Sequence, residues 1–232
     1  MSKTVPDQRK ASKVRGTTNG GYAKGEETRQ RVLNVALKAF GEASFLAVTT
    51  RQIAGAADVS LPILQYYFGN KEGLYLACAE AIVERYRGNT RVASEAAEAL
   101  RKGCSSETAR DYLKALMGAL ARFLVGSRET ERWPHFVARE LRDPGPAFEI
   151  LYASLWRPGV EITARLITRI LGGPEVEPAA RIQALMLISS LLVFQSGRSM
   201  SLRAMHWTAI GQEELAMVLS GLEAQIDAIG RV

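Results

Sequence analysis

The side chains with the clearest chemical potential lie close together, in a short stretch that begins at Ser60. A glutamine amide such as that of Gln65 can pair with adenine N6 and N7, and apolar side chains such as Leu61 and Pro62 can contact the thymine methyl group. Both contacts need a helix that enters the major groove, where its free N-terminal amides also meet phosphates. We therefore predict that Leu61, Pro62, Gln65 and Tyr66 face base edges, with Ser60 at the start of this helix.

A second group of residues is better suited to the DNA backbone. Hydroxyl groups and cations bind phosphate oxygens, and such contacts set the register of a protein on DNA without reading its sequence. We assign Thr50, Arg51, Tyr67 and Lys71 to this role. The neighbouring Phe68 is expected in the core.

Local signals around these residues predict two short helices joined by a tight corner. Thr49 or Thr50 can cap the first helix, and Ser60 can cap the second, whose first turn tolerates a proline. Asp58 occupies the corner, where a left-handed backbone is expected. Braced by further helices, this is the layout of a helix-turn-helix. Its predicted interior positions are Ile53, Ala54, Ala57, Val59 and Leu64.

Over residues 28–81 the chain resembles the TetR family of one-component transcriptional regulators. The most specific part is the segment VSLPILQYYFGNKEGL, residues 59–74, although the family usually has tyrosine at the position of Gln65. The segment PGPAFEILY, residues 144–152, with the following Arg157-Pro158, resembles the ligand-binding half of the CecR-like branch. The resemblance implies a homodimer that binds an inverted DNA repeat and responds to a small organic effector.

Helical periodicity continues to the C-terminus, and no long stretch alternates with period two, so the predicted fold is all-α. A basic disordered tail is expected over residues 1–25, a three-helix DNA-binding domain over 26–72, and a larger helical ligand-binding and dimerisation domain, entered through a long helix, over 73–232. The first helix begins with Glu26, and its helical spacing predicts a buried face of Val32, Val35, Ala36, Ala39 and Phe40. No apolar periodicity marks the polar, Ala-rich segment 88–106. A kink or break is expected at Arg157-Pro158-Gly159.

Two C-terminal helices are predicted, at about residues 177–200 and 208–229. The first contains a stretch without charges, from Ile182 to Gly197, that we interpret as a core helix because it is shorter than a membrane span and contains polar residues. The apolar faces of both helices could complete the monomer core or form a dimer. Because each chain has one helix-turn-helix, binding to both half-sites of an inverted repeat favours the dimer.

Aromatic and polar residues of the second domain could line a cavity, since ligand pockets combine apolar walls with a few polar groups. The predicted ligand-binding set is Trp133, Phe136, Arg139, Tyr152, Trp156, Phe194 and Gln195, with His135 beside it.

Composition excludes several other classes of protein. The 232 residues are 47% apolar and 23% charged, which is typical of a globular protein. The N-terminus lacks the apolar run of a secretory signal, so a cytoplasmic location and reduced cysteines are expected. His135 and His206 show no metal-ligand spacing, and no nucleophile elbow, phosphate loop or HExxH motif occurs, so no metal, cofactor or enzymatic activity is expected.

The charge distribution points to a polyanionic partner. The net charge is +6, and residues 1–25 carry six basic side chains against one acid. Such a tail is either a solubilising arm or an arm that attracts phosphates. The favoured function is a homodimeric repressor released from DNA by a ligand. The alternatives are a constitutive architectural DNA-binding protein and a helical carrier or enzyme with a vestigial reader domain.

Overall fold

The computed structural model describes residues 19–87, 91–126 and 133–230. Within these ranges the chain is helical and contains no strand, as predicted. The helices are α1 Asn19–Glu42, α2 Thr50–Ala56, α3 Leu61–Phe68, α4 Lys71–Arg87, α5 Arg91–Arg101, α6 Ser106–Leu124, α7 Pro134–Arg142, α8 Phe148–Leu151, α9 Arg157–Ile170, α10 Pro178–Gln195, α11 Arg198–Ala204 and α12 Gln212–Asp227. A π-helical segment, Tyr152–Trp156, joins α8 to α9.

The N-terminal helices form a small bundle around one buried face of α1. Val32, Ala36 and Phe40 of α1 are fully buried, as the helical spacing predicted. Against this face pack α2 and α4, and α3 packs on both of them. The bundle thereby holds two short helices that would be marginal alone.

The α1 helix begins earlier than expected. It starts at Asn19 rather than Glu26, so the predicted disordered tail is wrong for residues 19–25, and residues 1–18 lie outside the described ranges. Propensity disfavours a helix in this glycine-containing stretch. The Tyr67 side chain of α3 reaches this part of α1, since a Cβ at Gly25 would lie 3.2 Å from its hydroxyl.

The second domain is organised around α6. This helix contacts α5, α9, α10 and α12, and α9 also pairs with α10. The α5 helix lies in the segment 88–106, for which no periodicity was predicted, although Val92, Ala96 and Leu100 place one of its faces against the core.

The interruption expected near Pro158 takes the form of a π-helical turn. Residues 148–170 stay helical, and the Arg157 amide donates to the Tyr152 carbonyl, five residues back. Pro158 lies in the first turn of α9, where its missing amide hydrogen costs little. The chain therefore inserts one wider turn instead of breaking.

The long helix predicted for residues 177–200 is divided into α10 and α11. A Cβ at Gly197 would lie 2.8 Å from the Val193 carbonyl oxygen, so the tight corner needs glycine. The Ser201 hydroxyl donates to that same carbonyl at 2.6 Å, which satisfies a group that the break leaves unpaired.

The α10 helix is less buried than a core helix. Ile182, Leu185 and Met186 are 57%, 50% and 68% exposed, so the interpretation of this stretch as a core helix is wrong for one of its faces. Length and composition alone would also let Pro178–Gln195 cross a membrane, and 22% of that window is buried inside the structure. Helices of soluble proteins meet the same two criteria.

Candidate functional site

The first helix of the predicted reader, α2, is fixed at its start by reciprocal side-chain hydrogen bonds. The Thr49 hydroxyl accepts from the Gln52 amide, and the Gln52 side chain accepts from the Thr49 amide at 2.9 Å. This capping box satisfies two backbone donors that a short helix would otherwise leave free. It confirms the helix start predicted at Thr49-Thr50.

The corner between α2 and α3 has the backbone conformation that the sequence predicted. Asp58 has φ 51°, in the left-handed region. The Val59 amide reaches back to the Ala54 carbonyl at 3.0 Å, and the Arg31 guanidinium of α1 donates to the Ala57 carbonyl, also at 3.0 Å. Together these bonds hold the corner against α1.

The predicted interior positions of the helix-turn-helix are confirmed. Ile53, Ala54, Ala57 and Leu64 are 4% exposed or less, and Val59 packs against the same core. Phe68 is also buried. With these side chains inward, the opposite face of α3 must point to solvent.

That outer face of α3, which we call the reading face, consists of Ser60, Pro62, Gln65 and Tyr66, all exposed. Tyr66 is 83% exposed, and Ser60 makes no capping hydrogen bond with its side chain. Because α3 carries no charged residue, contacts of this face with DNA would be polar and apolar. Leu61, the fifth residue predicted near the bases, is half-buried.

A cleft of about 390 Å³ runs beside the reading face, between α1 and α3. Lys24, Gly25 and Thr28 form its α1 side, and Pro62, Ile63, Tyr66 and Tyr67 form its α3 side. Tyr67 is half-buried here, with its ring 5.2 Å from that of Tyr66. The sequence did not predict that Lys24 and Ile63 line a cleft. The prediction began the first helix at Glu26 and therefore placed no helix beside this side of α3.

The residues predicted to contact the DNA backbone lie in different surroundings. Arg51 is exposed and Thr50 is half-buried at the start of α2. Lys71, at the start of α4, donates to the Leu46 carbonyl at 3.3 Å, and its ammonium lies 4.6 Å from the centre of the Phe45 ring. Lys71 therefore also braces the loop before α2, a role that the sequence did not suggest.

The residues predicted to bind a ligand fall into several aromatic groups. Trp133 is buried with its ring 5.3 Å from Phe123, and Phe136 is buried with its ring 4.8 Å from Tyr75. Phe194 lies 6.4 Å from Trp207, near the corner between α10 and α11.

A further aromatic group, which we call the π-segment cluster, contains Phe148, Tyr152 and Trp156. The Phe148 and Tyr152 rings are stacked at 5.9 Å, and Trp156 lies 5.4 Å from Phe148. Tyr152 is 43% exposed and Trp156 is half-buried. Both side chains are carried by the π-helical turn.

Two members of the predicted ligand set have buried polar atoms that lack a hydrogen-bond partner within the described ranges. These atoms are Nε of Arg139 and Nε2 of Gln195. Buried polar groups are normally hydrogen-bonded, so each could bind a polar group of a ligand or a water molecule. Arg139 also has a structural role, because its terminal nitrogen donates to the Gly41 carbonyl of α1 at 3.2 Å.

A buried polar contact that the sequence gave no reason to expect joins α4 to α7. The Tyr75 hydroxyl of α4 donates to Oε1 of Glu140 of α7 at 2.5 Å, and Glu140 is 1% exposed. Burial, followed by the hydrogen bond with Glu140, raises the pKa of Tyr75 far above its ordinary value, so the phenol stays protonated as the donor.

Known proteins match both halves of this architecture. Residues 32–78 match the family of bacterial regulatory proteins of the TetR type, and residues 109–231 match the C-terminal domain of the HTH-type transcriptional dual regulator CecR. The dual regulator CecR of Shigella flexneri is 29% identical over 209 residues, which cover 89% of this chain and 92% of that protein.

Solved structures share the fold. A transcriptional regulator from Pseudomonas aeruginosa PAO1 has a TM-score of 0.60 at 15% identity, with 92% of this chain and 95% of that chain covered. A TetR-like regulator from Rhodococcus sp. RHA1 has a TM-score of 0.58 at 18% identity, with 87% and 96% covered. Because one family model spans more than half of the sequence and another spans the helix-turn-helix, the chain belongs to the TetR family of DNA-binding transcriptional regulators, with a C-terminal domain of the CecR type.

Proposed function

We propose that the protein is a homodimeric repressor that binds an inverted DNA repeat through the reading face of α3 and releases it when an organic effector binds in the C-terminal domain. The main observation in favour of DNA binding is the uncharged, exposed reading face of α3. Its side chains point to solvent because the opposite face of α3 is buried against α2 and the rest of the N-terminal bundle. Gln65 and Tyr66 project from the reading face. Thr50, Arg51, Tyr67 and Lys71 would contact phosphates around it.

The proposed dimer contact is the exposed apolar face of α10 and α12. Ile182, Leu185 and Met186 of α10 and Met217 of α12 are each at least 50% exposed. The three α10 residues share one face of that helix, at positions i, i+3 and i+4, and exposed apolar patches mark interaction surfaces. A two-fold pair would present two α3 helices to two half-sites, about 34–36 Å apart or a multiple of that distance.

The proposed effector site lies in the second domain, for which we place the boundary at about residue 73, inside α4. The π-segment cluster and the unpartnered nitrogens of Arg139 and Gln195 support this assignment, since they supply aromatic walls and free hydrogen-bonding groups. Trp133, Phe136 and Phe194 pack in other aromatic contacts and are not part of the proposed site. The location proposed for the protein, in keeping with its regulator relatives, is the cytoplasm.

The decisive experiment is the selection of bound fragments from genomic DNA by the full-length protein. We expect enrichment of one inverted repeat by the wild type, a weakened preference at one position of each half-site in Gln65→Ala, and no change in the control Gln225→Ala, which alters an exposed glutamine of α12. Binding without sequence preference would instead support an architectural protein. A reporter gene downstream of the selected site would then show repression, whereas activation would match the dual role named for the CecR relative.

A further inference from the structure

The carboxylate of Glu140, on α7, is bound both by α4, the helix that leads out of the helix-turn-helix, and by the loop that follows α7. Tyr75, which donates to Glu140 Oε1, lies one helical turn after Lys71 at the start of α4. Its ring packs edge-on against Phe40 of α1, with centres 4.7 Å apart. Tyr75 thus fixes Glu140 to the helices that carry the reading face.

The second oxygen of Glu140 is bound by the loop that follows α7. Oε2 accepts from the Gly145 amide at 3.1 Å, and Gly145 lies in the loop that leads from α7 to Phe148. A Cβ at position 145 would lie only 2.7 Å from Oε1, so an alanine there would displace the Glu140 carboxylate from its present position. Glu140 thus connects α4 with the loop that positions the π-segment cluster.

A buried carboxylate requires its hydrogen-bond donors, because leaving such a group unpaired is costly. A shift of the loop at Gly145 therefore changes the position that Glu140 and Tyr75 can adopt. We propose that Glu140 is a positioning residue, through which the loop beside the π-segment cluster sets the orientation of α4 and of the reader. This inference rests on the function proposed above and specifies how its two sites are coupled.

The coupling can be measured without knowing the effector, because coupling between two sites is reciprocal. The chain has three tryptophans, at positions 133, 156 and 207, and all three lie outside α1–α4. Trp133→Phe and Trp207→Phe leave Trp156 as the single emitter. We expect the inverted repeat selected from genomic DNA to change the emission of Trp156 on binding, while a scrambled duplex of equal length and charge does not.

Two substitutions perturb the carboxylate from opposite sides. Tyr75→Phe removes one hydroxyl, and Gly145→Ala places a methyl group against Oε1 without touching Tyr75. The matched control is Tyr86→Phe, which removes a hydroxyl from the same helix beside Phe123. Each is made in the Trp156-only protein, and DNA binding is measured separately by the anisotropy of labelled duplex.

We expect Tyr75→Phe and Gly145→Ala to reduce the DNA-dependent change in Trp156 emission at least fivefold at saturating DNA, and Tyr86→Phe to retain it. A full response in both variants, or no response in the Trp156-only parent although it binds the repeat, would refute the role of Glu140 alone. Failure of the wild type to prefer any sequence would refute the proposed function as well. If Tyr75→Phe does not fold, Gly145→Ala decides the question.

Discussion

Replacement of Gln65 by alanine tests whether the reading face discriminates bases. The Gln65 side chain is exposed, and the bond from the Gly69 amide goes to its backbone carbonyl, which alanine retains. Alanine is also at least as favourable as glutamine within a helix. The substitution should therefore leave the free energy of unfolding nearly unchanged, so that any change in DNA binding reports on the interface.

The size of the effect follows from the contact that is lost. A bidentate pair between glutamine and adenine contributes about 1–3 kcal/mol of discrimination against the wrong base. Since 1.4 kcal/mol corresponds to a factor of ten, Gln65→Ala should reduce the preference at one position of each half-site by about 5-fold to 150-fold. Competition among duplexes that differ at single positions measures this preference directly.

A second variant serves as the comparison. Lys71→Met keeps an apolar stem beside the Phe45 ring but removes the ammonium group. It should weaken all sequences about equally and lower the slope of log K against log salt by about 0.9 for each chain that contacts DNA. If both variants show the same base preferences and the same salt slope, then α3 does not lie in the major groove as proposed.

Three further substitutions or measurements test the packing on which these proposals depend. Met186→Glu should convert the dimer to a monomer in sedimentation experiments, whereas Met205→Glu, at an exposed position directly after α11, should not. An unchanged dimer would exclude this face of α10. Ala54→Leu should destabilise the fold by about 1–3 kcal/mol in urea titrations, because α2 and α3 cross closely there; an unchanged midpoint would contradict tight packing. Burial raises the pKa of the Cys78 thiol, so a thiol reagent at pH 8 should label Cys104 first, and equal labelling rates in the folded protein would contradict the burial of Cys78.

The reader was predictable because its signals are local. A capping threonine, an acid that tolerates φ 51° and a proline in the first helical turn each restrict the backbone within a few residues. The spacing of Ile53 and Leu64 then determines which face is buried.

The second domain was harder to predict because tertiary contacts decide its details. A single glycine such as Gly197 is compatible with a continuous helix, so the sequence did not predict a break there. The close contact with the Val193 carbonyl, which requires glycine, is known only from the fold. Pro158 indicates an interruption but not its form, since either a break or a wider turn removes the clash. All the aromatic residues of the predicted ligand set are of types that line pockets. Phe136, however, is fully buried against Tyr75, and this difference from the half-buried Trp156 is known only from the fold.

The sequence of α4, the helix that connects the DNA-binding bundle to the rest of the chain, itself indicates that it is buried on all sides. Between Leu74 and Val83 nearly every residue of α4 is apolar or small, with Glu80 the exception, so the helix lacks a single polar face. A helix that is apolar all round is buried on all sides. Here α1 and α3 cover part of α4, and α8 with the π-helical segment covers another part. Such a helix cannot tilt without disturbing packing in both domains, which is the mechanical condition for an effector among the aromatic residues to move the reading face.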